Sequence, residues 1–219
     1  SLFVLLINKQ QSEYHKNELQ VWASMKEGIT YIYRTKEILG ALCLDMFAVL
    51  FGGAVAMVPV YASDILKVGA DGFGILNAAS DIGSMMIIVT LSFIPLRKNQ
   101  GKILIGVVAG FGLCIIGFGL SKLYWLSFLF LMLSGIFDGI SVVIRGTIVQ
   151  LKTPDHIRGR VMSANSIFIM SSNEMGQFES GVAAKLLGVV RSVVFGGTMT
   201  VLIALFVGKF VPKLRKMEY

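Results

Sequence analysis

The sequence predicts an all-helical integral membrane protein, built as a bundle of six transmembrane helices. Three observations carry this prediction. Of the 219 residues, 55% are hydrophobic and only 15% are charged, whereas soluble domains average about 25% charged residues. The mean hydropathy is +0.74. The apolar residues form six long runs, and the basic residues lie mainly in the short segments between them.

The six apolar runs have the length that a membrane helix requires. A helix needs about 20 residues to cross the hydrocarbon core, whereas barrel strands would be about 10 residues long with alternating polarity. We number the runs as spans 1 to 6, and they cover residues 38–61, 73–96, 103–120, 124–150, 161–187 and 190–210. Two GxxxG pairs, Gly106 with Gly110 and Gly135 with Gly139, favour close helix packing over a ligand role.

The predicted six-span domain, residues 38–210, has three flanking segments. Residues 1–7 are apolar but too short to cross a bilayer, so we expect them to be the end of a preceding transmembrane helix. Residues 8–37 form a polar linker, and residues 211–219 form a basic tail.

Apolar residues recur at helical spacing within the linker. This pattern predicts an amphipathic helix, for which two interpretations are open. The helix could lie at the membrane surface, with Trp22, Tyr31 and Tyr33 as headgroup anchors. It could equally be an ordinary linker helix that packs on protein.

The distribution of basic residues predicts the orientation. Fifteen of the 20 lysines and arginines lie on the side that holds the linker, the 97–102 and 152–160 loops and the C-terminus. Four lie on the opposite side, and Arg145 lies within a span. Because cytoplasmic loops are enriched in lysine and arginine, the linker and the C-terminus are predicted to be cytoplasmic.

Several other function classes lack their sequence signals. The net charge of +7 is spread over loops and not over one face, which argues against nucleic acid as a partner. His15 and His156 lie outside any HExxH motif, and there is no GxSxG or GK[ST] loop. We therefore expect no enzyme activity, no metal and no cofactor. Cys43 and Cys114 are interpreted as packing residues.

Six ionisable residues fall inside the spans, where each costs a few kcal/mol unless it faces protein or water. None of them lies in spans 3 and 6, so two spans with ionisable residues are followed by one without, and this order occurs twice. An inverted 3+3 repeat predicts this layout, although chance could also produce it. The six residues are Asp45, Asp81, Asp138, Arg145, Glu174 and Glu179.

Span 5 also carries a polar stripe, which includes Asn173 and Gln177 beside Glu174. Such a stripe would be costly against lipid. We expect it to line a water-filled cavity or to contact another half of the protein, and interhelical hydrogen bonding in a dry bundle is the alternative.

The best candidates for a substrate or proton pathway are Asp138, Glu174, Arg145 and Asp45, in that order. Asp138 and Arg145 lie on one helix face about 10 Å apart along the axis, so we expect them not to pair directly. Arg145 could instead extend to the headgroups. Asp138 and Glu174 lie deep enough for proton relay, and a structural role as neutral, hydrogen-bonded acids is equally open.

Residues 153–163, TPDHIRGRVMS, resemble the loop between the tenth and eleventh helices of major facilitator superfamily transporters. The resemblance is to the branch that contains bacterial enterobactin exporters and transmembrane secretion effectors. GQFESG at 176–181 and SVVFGG at 192–197 are similar to that branch as well. The 97–102 loop departs from it, because it lacks the fuller gating motif of the family.

The resemblance implies a twelve-helix fold of two six-helix halves, of which this chain would be the C-terminal half. It implies an inner-membrane location, alternating access and proton-driven export of a small organic solute such as a siderophore or a drug. The N-terminal six-helix half would be a partner. Spans 3 and 6 would be outer helices. A non-transporting membrane scaffold or receptor module is the alternative function.

The resembling loop also has a physical interpretation of its own. Thr153 and Asp155 flank a proline, which should end span 4 and allow capping of the next helix. Asp155, Arg158, Gly159 and Arg160 form a candidate cytoplasmic gate, in which Arg158 would bond across a helix end. Charge that merely sets the topology is the other possibility.

Overall fold

The computed structural model describes residues 18–94, 96 and 98–215, and within them all regular structure is helical, as predicted. The expected end of a preceding helix at 1–7 lies outside the described residues. So do linker residues 8–17, Arg97 and residues 216–219 of the tail.

The helices follow one another with short connections. Their bounds are α1 Glu18–Arg34, α2 Lys36–Phe51, α3 Val58–Val60, α4 Ala70–Phe93, α5 Gln100–Leu120, α6 Tyr124–Lys152, α7 Arg158–Leu187, α8 Val189–Phe210 and α9 Pro212–Arg215. Two 3₁₀ turns, Ala54–Met57 and Asp155–Ile157, and a π-helical turn, Tyr61–Ile65, complete the elements of the described residues.

Five helical segments are long and apolar enough to cross a membrane. They are Lys36–Ile65, Ala70–Phe93, Gln100–Leu120, Tyr124–Lys152 and Val189–Phe210, and they correspond to spans 1, 2, 3, 4 and 6. The predicted span 5 is α7, whose 30 residues suffice in length but whose polar stripe makes it less apolar than the others. That α7 also spans the membrane stays a prediction, as does the inverted repeat.

The first span is not one continuous α-helix, because it breaks at Gly52 and Gly53. The Gly52 amide closes α2 by donating to the Ala48 carbonyl at 2.7 Å. A Cβ on Gly53 would meet the Gly176 carbonyl at 2.8 Å. Gly53 therefore lets α7 cross the first span at backbone distance, whereas a Cβ on Gly52 would meet Phe111 of α5 at 2.6 Å.

Close packing also joins α4 to α6. A Cβ on Gly135 would collide with the Ser80 carbonyl, and one on Gly139 would come within 3.2 Å of the Ser84 backbone. The predicted packing role of this GxxxG pair is confirmed. The same expectation is wrong for Gly106, because no atom lies within 4 Å of the place where its Cβ would be.

Gly135 and Gly106 offer a matched test of helix packing. Gly135→Ala is expected to lower the free energy of unfolding by about 1–3 kcal/mol, because the added methyl group forces α4 and α6 apart. Gly106→Ala meets open space and is expected to be neutral or stabilising by at most about 1 kcal/mol. Reversible unfolding in mixed micelles measures both, and equal effects would contradict the packing argument.

The α1 helix packs on the bundle along one face. Ile32 is fully buried, and Gly28 lies directly against the Arg160 carbonyl of α7. The Tyr31 hydroxyl donates to the Lys152 carbonyl, and its role as a headgroup anchor stays a prediction. Trp22 and Tyr33 are exposed, as anchors at a membrane surface would be.

Contacts between helix ends divide the loops into two groups. At one end, α1 reaches the end of α6, and Gly101 of α5 lies against the Leu214 carbonyl of α9. At the other end, the Tyr61 hydroxyl donates to Gly119 and the Tyr124 hydroxyl donates to Gly72. The described basic loop residues are concentrated at the first end. That this end is cytoplasmic stays a prediction.

Candidate functional site

A polar cavity of about 750 Å³ lies within the bundle, and four elements supply nearly all of its charged and polar lining. Its walls come from α2, α4, α6 and α7 and from the break in the first span at residues 52–56, with Phe111 added by α5, whereas α8 contributes none of the lining residues. Seven of the eight predicted pathway residues line this cavity: Asp45, Asp81, Asp138, Arg145, Asn173, Glu174 and Gln177.

Arg145 is the centre of the cavity's charge network. Its guanidinium forms an ion pair with Asp45 of α2, in which Nη1 donates to Oδ2. Its Nε donates to the Ser141 hydroxyl one turn earlier on α6, at 3.2 Å. Its Nη2 lies 4.0 Å from Oδ1 of Asp138. One cation therefore faces two carboxylates, which come from different helices.

The expectation that Asp138 and Arg145 are too far apart to pair directly was wrong, because an ion-pair contact of 4.0 Å joins them. The rise along α6 separates their backbones, but the long arginine side chain folds back along the helix and covers the gap. Extension of Arg145 to the headgroups is also contradicted, because only 7% of its side chain is exposed and Asp45 binds it.

The two carboxylates differ in their access to the cavity. The Asp45 side chain is 10% exposed and is paired with Arg145, whereas the Asp138 side chain is 44% exposed. Removing a buried ion from water costs several kcal/mol unless it is paired. Asp45 thus depends on its arginine, and Asp138 is the more open of the two acids to the cavity.

The connection between α6 and α7 does not cap α7 as expected. No side chain caps either the turn at 155–157 or α7. The Thr153 hydroxyl bonds back to the Val149 carbonyl of α6, and Asp155 forms an ion pair with Arg158. Neither side chain bonds the first amides of α7, so the capping expectation was wrong.

Arg160, and not Arg158, joins two elements at this end of the bundle. Its guanidinium forms an ion pair with Glu27 of α1. The partner of Arg158 is three residues away in the same connection, and the Gly159 carbonyl accepts a bond from Ser163. A gating role for Arg158 stays a prediction.

A family model described as transmembrane secretion effector matches residues 2–219. The chain belongs to this family, a branch of the major facilitator superfamily. The resemblance seen in the sequence is thereby confirmed, and the chain is a member of the transmembrane secretion effector family. No curated protein and no solved structure gave a significant match.

In this transmembrane secretion effector, Glu179 lies apart from the polar cavity. It lines a groove of about 700 Å³ on the outer side of α7, whose other walls are largely apolar, among them Phe178 and Leu186. Glu174 lines both the groove and the cavity. Among the described residues, no group of three or more His, Cys, Asp or Glu side chains is placed to hold a metal ion.

Sequence reasoning missed part of the lining of the cavity. Asn77, Ser80 and Ser84 present polar atoms from α4, next to Asp81. Their spacing of three and four residues places them on one helix face, a signal that could have been found beside the aspartate. The Glu27 partner of Arg160 carries no such local signal, because 133 residues separate the two.

Proposed function

We propose that this chain is the C-terminal half of a proton-coupled exporter of a small organic solute, located in the bacterial inner membrane. The observation that carries the proposal is the sharing of Arg145 between Asp45 and Asp138 at the wall of a polar cavity. Ionisable groups within a membrane bundle are costly, and they recur where protons or solutes pass.

The proposed coupling step is an exchange of partners at Arg145. When Asp138 is ionised, it competes with Asp45 for the guanidinium. When Asp138 takes a proton from the cavity, its charge is lost and Arg145 pairs with Asp45 alone. Because the two acids lie on α2 and α6, the state of one proton biases how these helices sit against each other, which is the link that alternating access requires.

The charge of the cavity favours one class of solute. Four carboxyl groups, Asp45, Asp81, Asp138 and Glu174, face it, and among the described residues of its lining Arg145 is the one basic residue. An organic anion would be repelled from such a wall, while a cation or a neutral polar compound would be attracted or tolerated. Between a siderophore with acidic groups and a cationic drug-like compound, the lining supports the latter.

The other half of the transporter has a surface on which to pack. The groove of α7 exposes large apolar side chains, which are Met175, Phe178, Val182 and Leu186. We assign this face to the N-terminal six-helix half. The connection with Asp155, Arg158, Gly159 and Arg160 would then lie at the cytoplasmic gate.

A transport assay tests the proposal. Bacteria that express the complete transporter, of which this chain is proposed to be half, should expel a fluorescent organic cation faster than cells without it. A protonophore should abolish the difference, whereas blocking ATP synthesis with the gradient intact should not. Efflux that survives the protonophore would contradict proton coupling, and efflux equal to that of empty cells would favour the scaffold alternative.

A further inference from the structure

Another pocket, distinct from the polar cavity and from the groove of α7, lies between α1 and the turn that precedes α7. Its volume is about 540 Å³. One wall is the face of α1 that carries Ala23, Thr30 and Tyr31, and the other is formed by Pro154 and Ile157. The proposed transport mechanism uses none of these residues.

The pocket carries uncompensated positive charge. Lys26 and Arg34 lie on its α1 wall two helical turns apart, on one face of the helix, and His156 lines the opposite wall. Glu27, the one acid among the described lining residues, already pairs with Arg160. Within the part of the chain that the structure describes, neither Lys26 nor Arg34 has a carboxylate at ion-pair distance.

The pocket lies at the level where the helices leave the membrane. The first span begins at Lys36, two residues after Arg34, and the span of α6 ends at Lys152, whose carbonyl accepts the Tyr31 hydroxyl. Trp22 and Tyr33 of α1 are 70% and 59% exposed. Exposed aromatic residues of this kind sit at the headgroup level of a bilayer.

We propose that this pocket binds the phosphate group of an anionic membrane lipid. Lysine and arginine are the side chains that recognise phosphate, through point charge and through the planar guanidinium fork, and His156 adds a ring N–H donor. A soluble phosphate compound offers the same chemistry. The level of the pocket and the two exposed aromatic side chains favour a lipid of the adjoining leaflet, and the inference does not depend on transport.

Fluorescence quenching tests the site directly. The chain has two tryptophans, and Trp125 lies at the start of α6, at the opposite end of the bundle, so Trp125→Phe leaves Trp22 as a reporter beside the pocket. The protein is reconstituted into phosphatidylcholine vesicles that contain brominated phosphatidylglycerol or brominated phosphatidylcholine. The anionic quencher should be the more effective of the two, and this preference should fall as salt is added.

The paired substitution Lys26→Gln with Arg34→Gln should remove the preference for the anionic quencher. Each lost cation should lower the relative affinity for the anionic lipid by roughly five-fold. The matched control is Lys67→Gln with Lys122→Gln, which removes two cations from the opposite end and should leave the preference unchanged. Circular dichroism checks that both variants keep their helix content.

Two results would overturn the proposal. The first is a preference that is the same in the Lys26 and Arg34 variant as in its parent, or one that does not respond to salt. The second is removal of the preference by inorganic phosphate at an ionic strength where chloride has no effect, which would assign the pocket to a soluble phosphate compound and not to a lipid.

Discussion

Replacing Arg145 with methionine is expected to lower the free energy of unfolding by about 3–5 kcal/mol, the cost typical of breaking a buried ion pair from one side. Asp45 would remain in a site where only 10% of its side chain is exposed, without the cation that it pairs with. The Ser141 hydroxyl would lose its donor as well. Reversible unfolding in mixed micelles, followed by circular dichroism, measures the change.

Two further variants make the expectation specific to the pair. Arg191→Met removes an arginine that is exposed at the start of α8 and should cost little. Adding Asp45→Leu to Arg145→Met should recover most of the lost stability, because the unpaired charge is then removed too. If Arg145→Met and Arg191→Met cost the same, the buried pair does not stabilise the bundle.

Replacing Asp138 with asparagine is expected to reduce proton-driven export to the level of cells without the transporter. An asparagine side chain cannot take up or release a proton, so the exchange of partners at Arg145 cannot occur. Folding should be affected far less than by loss of Arg145, because the Asp138 side chain is 44% exposed and its nearest guanidinium nitrogen is 4.0 Å away. Efflux of a fluorescent cation from energised cells is the measurement.

Counterflow of substrate without a proton gradient separates coupling from binding. It should persist in the Asp138→Asn variant, because the cavity keeps its shape. Asp71→Asn is the matched control, since Asp71 is exposed in the first turn of α4 and lies outside the cavity. An unchanged export rate in the Asp138 variant would show that Asp138 is not the residue that couples export to protons.

The sequence predicted the helical spans well, because lipid imposes a strict local rule. A helix must present about 20 apolar residues to cross the bilayer, and that requirement is visible in any stretch of the chain. Five spans agree with the structure within a few residues at most of their ends. The break at Gly52 and Gly53 was missed, because these glycines lie against Phe111 of α5 and the backbone of α7, which are distant in sequence and leave no local signal.

The ion pairs were the part of the site that the sequence could not supply. Asp45 and Arg145 are 100 residues apart, and nothing near either residue names the other as a partner. The estimate that Asp138 is out of reach of Arg145 counted the helical rise but not the length of the arginine side chain. Pairing depends on rotamers and on helix crossings, which apolar periodicity leaves undetermined.

By itself, the sequence determined that this chain is a helical membrane protein of the transmembrane secretion effector type, and it identified the charged residues that need a polar environment. Lipid excludes unpaired charge, and that exclusion acts on each span separately. Only the tertiary structure decided which charges share a cavity, which acid is buried in a pair with Arg145 and which one is the more exposed. These properties arise where helices distant in sequence meet, so they depend on packing geometry.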